Sequence, residues 1–327
     1  MFSGIGGFRL ALERAGHTCV AFCEIDKYAR QTYKANFNTK NETEWNDITT
    51  ITDKEIKAFG EKNKTEIICG GFPCQAFSVA GKRLGFNEKR GTMFFEIMRF
   101  ARILKPKYLF LENVKGLLNH ENGETFKTIL STLDELGYDA EWQVLNSKDF
   151  GVPQNRERVF IIGHLRGKCT RKIFPLERAS AKNTCKLKLL NKGASQGYRI
   201  YDIHGLSTTI ASQAGGLGAK TGLYLVGNVN PSKKGMNGNV YDSRGLSPTL
   251  TTNKGEGTKI FIKPMLNSNK NIKVRKLTPL ECFRLQGFPD SFYYKARMGG
   301  LSDTQLYKQA GNSVTVNVVY AIVKKFV

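Results

Sequence analysis

This 327-residue sequence lacks long apolar runs and closely spaced cysteine pairs, and it has few histidines. No stretch has the roughly 20 apolar residues that a membrane-spanning helix needs, and no signal peptide opens the chain. The seven cysteines include no C-x-x-C pair and only four histidines are present, so neither a disulfide framework nor a zinc site is predicted. These absences predict a cytoplasmic protein that binds no metal and no membrane.

Acidic residues are also scarce. The chain has 50 Lys and Arg against 28 Asp and Glu, a net charge of +22. The segment from Arg166 to Lys276 carries 21 basic and four acidic residues, so +17 of the excess lies there. A merely solvated surface would spread the excess along the chain. Its concentration in one segment predicts a polyanionic partner of the nucleic-acid class.

The first 165 residues alternate between strand-like and helix-like stretches. Buried parallel strands are predicted for TCVAFCEID, TEIICGG, KYLFLENV and RVFIIGH. Helices are predicted for FRLALERAG, MFFEIMRFARIL and ETFKTILSTLDELG, the last with Gly137 as its C-cap. This alternation predicts an α/β fold, a doubly wound Rossmann-like sheet with its ligand at the carboxyl ends of the strands.

Beyond residue 166 the helical periodicity fades, and glycine, lysine and small polar residues dominate up to about residue 274. Helices are then predicted for LTPLECFRLQGF and NSVTVNVVYAIVKKFV, with Thr278 and Asn312 as N-caps. The sequence therefore predicts a catalytic and cofactor-binding domain over 1–165, a smaller irregular β-rich insert over 166–274, and a C-terminal segment over 275–327 that rejoins the first domain.

The basic insert repeats itself. RIYDIHGLSTTIASQAGG aligns with NVYDSRGLSPTLTTNKGEG at a period of 40 residues, within repeats that span 192–224 and 228–263. Two interpretations stay open: one domain built from two similar halves, or two complete domains in tandem.

A glycine-rich turn, FSGIGGF, stands near the start of the chain and lets the backbone approach a bound ligand. Glu24 ends the predicted strand TCVAFCEID, where a carboxylate can bond ribose hydroxyls, and Asp47 is expected to end another strand. The sequence has neither a G-x-G-x-x-G turn nor a G-K-[ST] loop. A ligand without pyrophosphate is therefore favoured, and S-adenosylmethionine fits better than NAD.

The segment GGFPCQAFSVAG places Cys74 straight after a proline, in a loop that follows a predicted strand. An exposed thiol near cations is readily deprotonated. The alternative, a buried core cysteine, suits Cys69 inside the strand better than Cys74.

Three further polar side chains suit chemistry on a flat, electron-poor ring. Glu112 lies at the end of a predicted strand, and Arg156 and Arg158 stand two apart in a strand-like run, so they are expected to share a face. A Cys74 thiolate would add to C6 of cytosine, Glu112 would hold or protonate a ring nitrogen, and an arginine would bind the carbonyl oxygen. The addition makes C5 nucleophilic enough to take a methyl group from a sulfonium.

The motifs resemble those of the DNA cytosine-5 methyltransferase family, most closely its bacterial type II and phage members. They occur in the family's order along nearly the whole chain: FSGIGGF, EIDKYA, NDIT, GGFPCQAFSVAG, RGTMFFEIMR, ENVKG, QNRERVFIIG, RKLTPLECFRLQGFP and QAGNSVTVNV. The resemblance implies that Cys74 is the nucleophile, that Glu112 lies at N3 and the exocyclic amine, and that Arg156 and Arg158 flank the base. It also implies an S-adenosylmethionine site made of Phe2, Gly4, Ile5, Gly6, Glu24, Ile25, Asp47, Ile48, Pro73, Met93, Asn312 and Ser313.

By the same resemblance, the basic insert is a target-recognition domain that faces the catalytic domain across a DNA cleft. The target cytosine would be flipped out of the duplex. The repeat places Thr209 and Thr249 at the DNA backbone, and Gln213 and Asn253 near base edges. The other residues expected to contact the substrate are Gln75, Ser78 and Asn113.

Family members have a hydrophobic strand ahead of FSGIGG, whereas this sequence starts at Met1 and Phe2. The first strand is therefore expected to be nearly absent, which keeps a catalytically compromised, methyltransferase-like DNA-binding protein open as an alternative. An RNA cytosine-5 methyltransferase is less favoured because its C-F-T signature is absent. A dinucleotide-dependent oxidoreductase is not favoured, because this sequence lacks the phosphate-binding loop of that class.

The favoured function is DNA cytosine-5 methylation in a restriction–modification system or in phage self-protection. The expected partner is double-stranded DNA, with the enzyme monomeric on it. A cognate restriction endonuclease, where one exists, would form no stable complex with it.

Overall fold

The computed structural model describes residues 1–73, 93–168, 170–177, 225–228, 239–242, 259–262 and 273–326, with the backbone alone for the four strands between 225 and 276. The chain divides into two compact units. Unit 1 comprises Met1–Asn146, Glu157–Glu177 and Ser313–Val327, and unit 2 comprises Ser147–Arg156 and Arg178–Asn312. No described helix is long and apolar enough to cross a membrane.

The described strands are β1 (Ala21–Cys23), β2 (Thr43–Trp45), β3 (Ile67–Gly71), β4 (Tyr108–Val114), β5 (Tyr138–Asn146), β6 (Glu157–Leu165), β7 (Leu225–Asn228), β8 (Asn239–Asp242), β9 (Lys259–Ile262) and β10 (Lys273–Lys276). The described α-helices are α1 (Gly7–Arg14), α2 (Lys27–Asn36), α3 (Asp53–Lys62), α4 (Met93–Leu104), α5 (Glu124–Glu135), α6 (Pro279–Leu285), α7 (Asp290–Met298), α8 (Asp303–Asn312) and α9 (Val316–Val323).

Unit 1 has two sheets. β1 pairs in parallel with β2, and the second sheet has the order β3-β4-β6-β5. β3 and β4 are parallel, so the predictions of parallel strands at TEIICGG and KYLFLENV are confirmed. Residues 1–6 form no strand, yet they bridge the two sheets: the Met1 ammonium group donates to the Cys69 carbonyl at 2.8 Å, and the Ser3 N–H to the Cys23 carbonyl at 3.0 Å.

The predicted direction of the strand at RVFIIGH is wrong, because this strand, β6, runs antiparallel to both of its neighbours. Only the segment 147–156 connects β5 to β6, which is shorter than the dozen or more residues that a parallel crossover needs. β5 itself was not predicted. Its sequence, YDAEWQVLN, alternates polar and apolar residues along a strand that is only partly buried, so it lacks the continuous apolar run of a central strand.

The helices follow from local signals. α4 is buried along most of its length, since Phe94 to Ala101 are all buried, and it forms the core with β3 and β4. Each large apolar side chain removed from water there contributes about 1.5–3 kcal/mol. α3 begins at a capping box in which the Thr52 hydroxyl accepts from the Glu55 N–H while the Glu55 carboxylate accepts from the Thr52 N–H.

The two predicted N-caps have different outcomes. Thr278 caps α6 in a capping box with Glu281, as predicted. Asn312 is wrong as an N-cap: it is the last residue of α8, and Thr315 precedes α9. Gly137 follows the end of α5 with φ of 83°, the left-handed conformation of a glycine that ends a helix.

Unit 2 contains a four-stranded sheet of order β10-β9-β8-β7, in which β8 and β9 are parallel and the outer pairs antiparallel. Unit 2 also includes residues 278–312, and Ser313–Val327 belongs to unit 1, where α9 packs on α1. That residues 275–327 rejoin the catalytic domain stays a prediction. Within unit 2, the buried Gln154 side chain donates to the Leu285 carbonyl at 2.8 Å and so ties the segment 147–156 to α6. The assignment of separate functions to domains stays a prediction.

Candidate active site

Carboxylates follow the carboxyl ends of the parallel strands of unit 1. Glu24 comes directly after β1, Asp47 two residues after β2, and Glu112 lies near the end of β4. Burial raises the pKa of the Cys23 thiol to about 11, and the charges of Glu24 and Asp47 add to this effect. Both carboxylates are therefore close to the end of β1, as the sequence predicts.

The glycine-rich turn holds the Glu24 carboxylate. The Gly4 N–H donates to Glu24 Oε2 at 2.7 Å, and the Asp26 N–H donates to Oε1 at 2.9 Å. Gly4 has φ of 54°, and no atom lies within 4 Å of the position that a Cβ there would occupy. The Glu24 carboxylate thus fixes the glycine-rich turn, and the space beside Gly4 is left open for a ligand. A carboxylate offers about four acceptor positions, so Glu24 can still bond a ligand.

An exposed apolar side chain lies beside this acid. Ile25 is 68% exposed, and its backbone is held because the Arg30 guanidinium donates to the carbonyls of Glu24 and Ile25 at 2.7 and 3.0 Å. Asp47 is oriented by Thr49, whose hydroxyl and N–H both donate to Asp47 Oδ1. These hydrogen bonds lower the pKa of Asp47, so it is ionised at neutral pH.

The end of β3 is built by two glycines and a phenylalanine. A Cβ on Gly71 would lie 2.7 Å from Glu112 Oε2, and a Cβ on Gly70 would meet the carbonyl oxygen of Met1. Phe72 is buried and packs on Phe94, with ring centroids 5.4 Å apart. The two glycines before Cys74 therefore make room for a carboxylate and for the start of the chain.

Asn113 is 3% exposed. Its amide group donates to the Phe72 carbonyl at 3.0 Å, and its side-chain oxygen accepts from the Val114 N–H at 2.8 Å. These contacts favour a role in positioning the chain that leads to Cys74 over the predicted contact with DNA.

Glu112 forms an ion pair with Arg158. Arg158 Nε lies 3.1 Å from Glu112 Oε1, and the side chains are only 16% and 11% exposed. The register explains the contact: Val114 lies opposite Arg158, so Glu112 is its diagonal neighbour on the same face. Burial lowers the pKa of Arg158, and the Glu112 charge opposes that shift. The carboxylate is thus held by a cation at the end of β4.

Arg156 does not follow the predicted alternation, because β6 begins at Glu157 and Arg156 lies before it. It belongs to unit 2, where it is buried and donates to the Gly311 carbonyl at 3.2 Å. The shared face with Arg158 stays a prediction: Arg156 lies one residue before β6, but its carbonyl still accepts from the Ser147 N–H at 3.0 Å beside the β5–β6 ladder.

Four cysteines lie in the described residues: Cys19, Cys23, Cys69 and Cys282. Burial raises the pKa of each, to about 11 for Cys23 and Cys69 and about 12 for Cys282. Cys69 is half-buried, and desolvation still raises its pKa, which agrees with the expectation of an unreactive thiol but not with a fully buried one. Cys74 itself lies outside the described residues, as do Gln75, Ser78, Thr209, Gln213, Thr249 and Asn253.

A family model described as C-5 cytosine-specific DNA methylase matches residues 1–327. The chain belongs to this family. It is 39% identical over 325 residues to the type II methyltransferase M.HhaI of Haemophilus parahaemolyticus, covering 98% of this chain and 91% of that protein. It is 33% identical over 428 residues to the orphan methyltransferase M.SPRI of Bacillus phage SPR, covering 100% and 96%.

Solved structures agree on the fold. The Dnmt2 methyltransferase of S. pombe matches with a TM-score of 0.64 at 19% identity, and the Entamoeba histolytica methyltransferase EhMeth with 0.63 at 23%. Each match covers 99% of this chain and 95% of the other. The enzyme is therefore a DNA cytosine-5 methyltransferase with a mixed α/β methyltransferase fold, which acts on double-stranded DNA with S-adenosylmethionine as its methyl donor.

The residues at the strand ends fit that donor. Glu24 offers a fixed carboxylate for ribose hydroxyls, Ile25 an exposed apolar surface for a purine face, and Asp47 an ionised acceptor for an amino group. The sulfonium centre is cationic, so a site with acids suits it better than a phosphate-binding loop would.

The other residues predicted to bind S-adenosylmethionine differ in how much side-chain surface they expose to a ligand. Ile5 and Ile48 are 1% and 3% exposed, so they offer a ligand little side-chain surface. Ser313 lies beside the turn, since its hydroxyl is 3.0 Å from where a Cβ on Gly7 would be. Asn312 belongs to unit 2. The remaining four are at least partly exposed or in the turn: Phe2, Gly6, Pro73 and Met93.

Sequence reasoning missed several residues that build the site. Ser3 bonds the Cys23 backbone from both directions, and Arg30 holds the carbonyls before α2. The contacts of Ser3 join residues 20 apart in the sequence, and those of Arg30 go to backbone carbonyls, so neither leaves a residue pattern to recognise. Gly71 differs, because the glycine pair ahead of F-P-C was expected to allow a close backbone approach, and it clears the space that Glu112 occupies.

Proposed function

We propose that the enzyme methylates a cytosine flipped out of duplex DNA, with Cys74 as nucleophile and Glu112 and Arg158 facing the ring. The observation that carries this is the buried Glu112–Arg158 pair opposite the end of β3, from which the chain continues into Pro73 and Cys74. A carboxylate held by a guanidinium is suited to recognise the amino edge of cytosine.

The proposed reaction adds a nucleophile to C6 of cytosine so that C5 can accept a methyl group. The Cys74 thiolate forms a bond to C6, and the electron pair of the C5–C6 double bond moves toward C5. Glu112 accepts a hydrogen bond from the exocyclic amino group and brings a proton to N3. S-adenosylmethionine supplies an electrophilic methyl group when bound. After C5 has been methylated, its proton passes to a solvent base, the C5–C6 double bond re-forms as the thiolate leaves C6, and N3 returns its proton to Glu112.

The state of the cysteines supports the choice of nucleophile. Cys23, Cys69 and Cys282 have pKa values raised to about 11 or 12, so at neutral pH each is almost wholly a thiol. The thiolate is the reactive form. These described cysteines are therefore poor nucleophiles, while Cys74 follows a proline in a motif shared with the family.

A covalent trap tests this proposal. A duplex with 5-fluorocytosine at the target position should form a stable adduct with the unaltered enzyme, because fluorine at C5 blocks the final elimination. Cys74→Ala should form no adduct and transfer no methyl group while still binding DNA, and the matched control Cys69→Ala should still form the adduct. An adduct with Cys74→Ala would overturn the assignment.

We further infer the finer arrangement from the charge distribution and the repeat. Residues 166–274 would form a target-recognition domain inserted into a doubly wound catalytic domain. Support comes from the +17 net charge of Arg166–Lys276 and from the four strands described between 225 and 276. Thr209, Gln213, Thr249 and Asn253 are the proposed DNA contacts there.

The biological setting is part of the same proposal. The enzyme would protect DNA in a restriction–modification system or in a phage, since its relatives include a type II methyltransferase and a phage orphan methyltransferase. It would act in the cytoplasm as a monomer on DNA, without a stable complex with an endonuclease. Sedimentation of the enzyme with a target duplex tests the stoichiometry: one enzyme per site is expected.

A further inference from the structure

A lysine-lined groove lies in unit 1 at the amino ends of β3 and β4, on the far side of these strands from the active site. Its volume is about 930 Å³, and it is formed by the ends of α3 and α4 and the segments that follow them. We call it the lysine groove and define it by its charged lining residues: Lys57, Glu61, Lys62, Lys64, Glu66, Lys105, Lys107 and Lys168.

The groove concentrates positive charge in a part of the chain that is otherwise slightly acidic. Residues 1–73 and 93–168 contain 21 Lys and Arg against 20 Asp and Glu, a net charge of +1. The groove alone has six lysines and two glutamates, a net charge of +4, so the rest of these residues sum to −3. A uniformly solvated basic surface would not give this distribution.

The positive charges of most lysines in the groove are not paired with a nearby carboxylate of the described residues. Lys64 pairs with Glu66 at 3.0 Å, but both side chains are more than half exposed. Within the described residues, no carboxylate lies within 4.0 Å of the ammonium groups of Lys57, Lys62, Lys105 or Lys168, and all four are exposed. Like charges held around one concavity repel each other unless an anion enters it.

Helix ends explain only part of this cluster. The carboxyl terminus of a helix favours cations, which accounts for Lys62 at the end of α3 and Lys105 just after α4. Lys64, Lys107 and Lys168 come from segments that are not helical. Their convergence on the same groove needs another reason.

The groove is separate from the catalytic residues. It adjoins Lys107, directly before β4, whereas Glu112 lies five residues further along the strand. At about 3.3 Å per residue, these positions are roughly 16 Å apart. An anion in the groove therefore does not touch the base that Glu112 faces.

We propose that the lysine groove binds the sugar–phosphate backbone of a second stretch of duplex DNA, distinct from the stretch that carries the target cytosine. Duplex DNA presents one phosphate charge per ~1.7 Å of its axis, a density that several lysines around one concavity can contact together. The groove offers no aromatic side chain for base stacking among its described lining residues, so the contact is independent of sequence.

The consequence depends on the length of the DNA. Duplex DNA has a persistence length of about 150 bp, so a short oligonucleotide cannot bend back to reach the groove, whereas a plasmid supplies a second segment in cis. The groove would then hold the enzyme on long DNA between target sites and raise its effective concentration there.

The test compares two variants of equal charge. The groove variant combines Lys57→Gln, Lys62→Gln, Lys105→Gln and Lys168→Gln, and the control combines Lys40→Gln, Lys54→Gln, Lys127→Gln and Lys324→Gln, all exposed and outside the groove. Thermal melts establish that both are folded. Methyl transfer is measured on a duplex of about 20 bp and on a plasmid, and affinity for non-target duplex is measured against salt.

We expect the groove variant to keep kcat/KM on the short duplex and to lose roughly threefold to tenfold on the plasmid. The slope of log affinity against log salt should fall by about 2 to 4, since each lost phosphate contact removes about 0.9. Equal losses in the control variant, or unchanged plasmid activity and salt slope in the groove variant, would overturn the proposal. An equal loss of activity on the short duplex and on the plasmid in the groove variant would also overturn it, because the groove would then act on the stretch that carries the target.

Discussion

At the scale of single residues, Gly71 decides whether Glu112 can occupy its place. A Cβ on Gly71 would lie 2.7 Å from Glu112 Oε2, closer than real Cβ contacts come. We expect Gly71→Ala to displace the carboxylate from Arg158 and to lower kcat by about 10²-fold or more, the usual contribution of a positioned acid or base. Incorporation of labelled methyl groups measures the effect.

The matched control is Gly116→Ala, because no atom lies within 4 Å of the Cβ position of Gly116. This variant should retain nearly full activity and stability. If Gly71→Ala were as active as Gly116→Ala, the close approach of Glu112 to β3 would not matter for methyl transfer.

The described cysteines should show a distinctive dependence on pH. A raised pKa means that the thiolate forms only as the pH approaches the raised value, about 11 for Cys69 and about 12 for Cys282. At pH 8 the thiolate fraction of Cys69 is then about one in a thousand. Alkylation followed by mass spectrometry should label Cys74 near neutral pH, and Cys69 and Cys282 only in strongly alkaline solution. Equal labelling of Cys69 and Cys74 at pH 7 would contradict this.

At the scale of elements, the space between β1 and β3 leads to a prediction about an added strand. Met1 and Ser3 bridge Cys69 and Cys23 at one end of this space. Behind them lies a cavity of about 340 Å³, lined largely by apolar residues of β1, β3, α1 and α3. Met1 lines this cavity, so residues fused to its amino group can be directed into the space between β1 and β3.

We expect an engineered extension of about five or six apolar, β-branched residues ahead of Met1 to raise the melting temperature and the affinity for S-adenosylmethionine. Each buried backbone group that gains a partner avoids a cost of about 1–3 kcal/mol. The matched control is a Gly/Ser extension of the same length, which should change neither quantity. Equal melting temperatures for the two extensions would count against a strand in this space.

The elements also mark what could be predicted from sequence. The helix α4 is predicted with its observed bounds because it is apolar on nearly every side. The acids after β1 and β2 are predicted because each follows a short strand-like stretch in the sequence. β5 and the direction of β6 were missed because they depend on a hairpin-like connection and a half-exposed strand. Glu112 and Arg158 are each predicted as site residues, but their ion pair is not. The pair forms because β4 and β6 are antiparallel in a register that the sequence does not reveal.

At the scale of the whole molecule, the tandem repeat raises the question of how many sequences are read. β8 and β9 lie in the second repeat and share a sheet with β10, which lies outside both repeats. This arrangement favours one composite recognition domain over two independent ones, because a complete second domain would not need a strand from elsewhere in the chain.

Two double variants test this interpretation. Thr209→Ala with Gln213→Ala changes the first repeat, and Thr249→Ala with Asn253→Ala changes the second. For a composite domain, we expect both to reduce methylation at the same sequence, by about 1–3 kcal/mol for each lost base contact, as bisulfite sequencing of a methylated plasmid would show. Loss of a different target sequence in each variant would establish two separate readers.

The bridge formed by the first residues of the chain has a consequence for motion. β1 and β2 form a ladder of three residue pairs, and backbone hydrogen bonds of Met1 and Ser3 link it to the larger sheet. In contrast, β4 pairs with β6 along its whole length and with β3 from Tyr108 to Glu112. Local opening needs least free energy where few bonds must break. Amide hydrogens of β1 and β2 should therefore exchange with solvent well before those of β4. The residues proposed to hold S-adenosylmethionine lie on both sides of this join, Glu24 and Asp47 on one side and Pro73 and Met93 on the other. We therefore expect added S-adenosylmethionine to slow the exchange of the β1 and β2 amides.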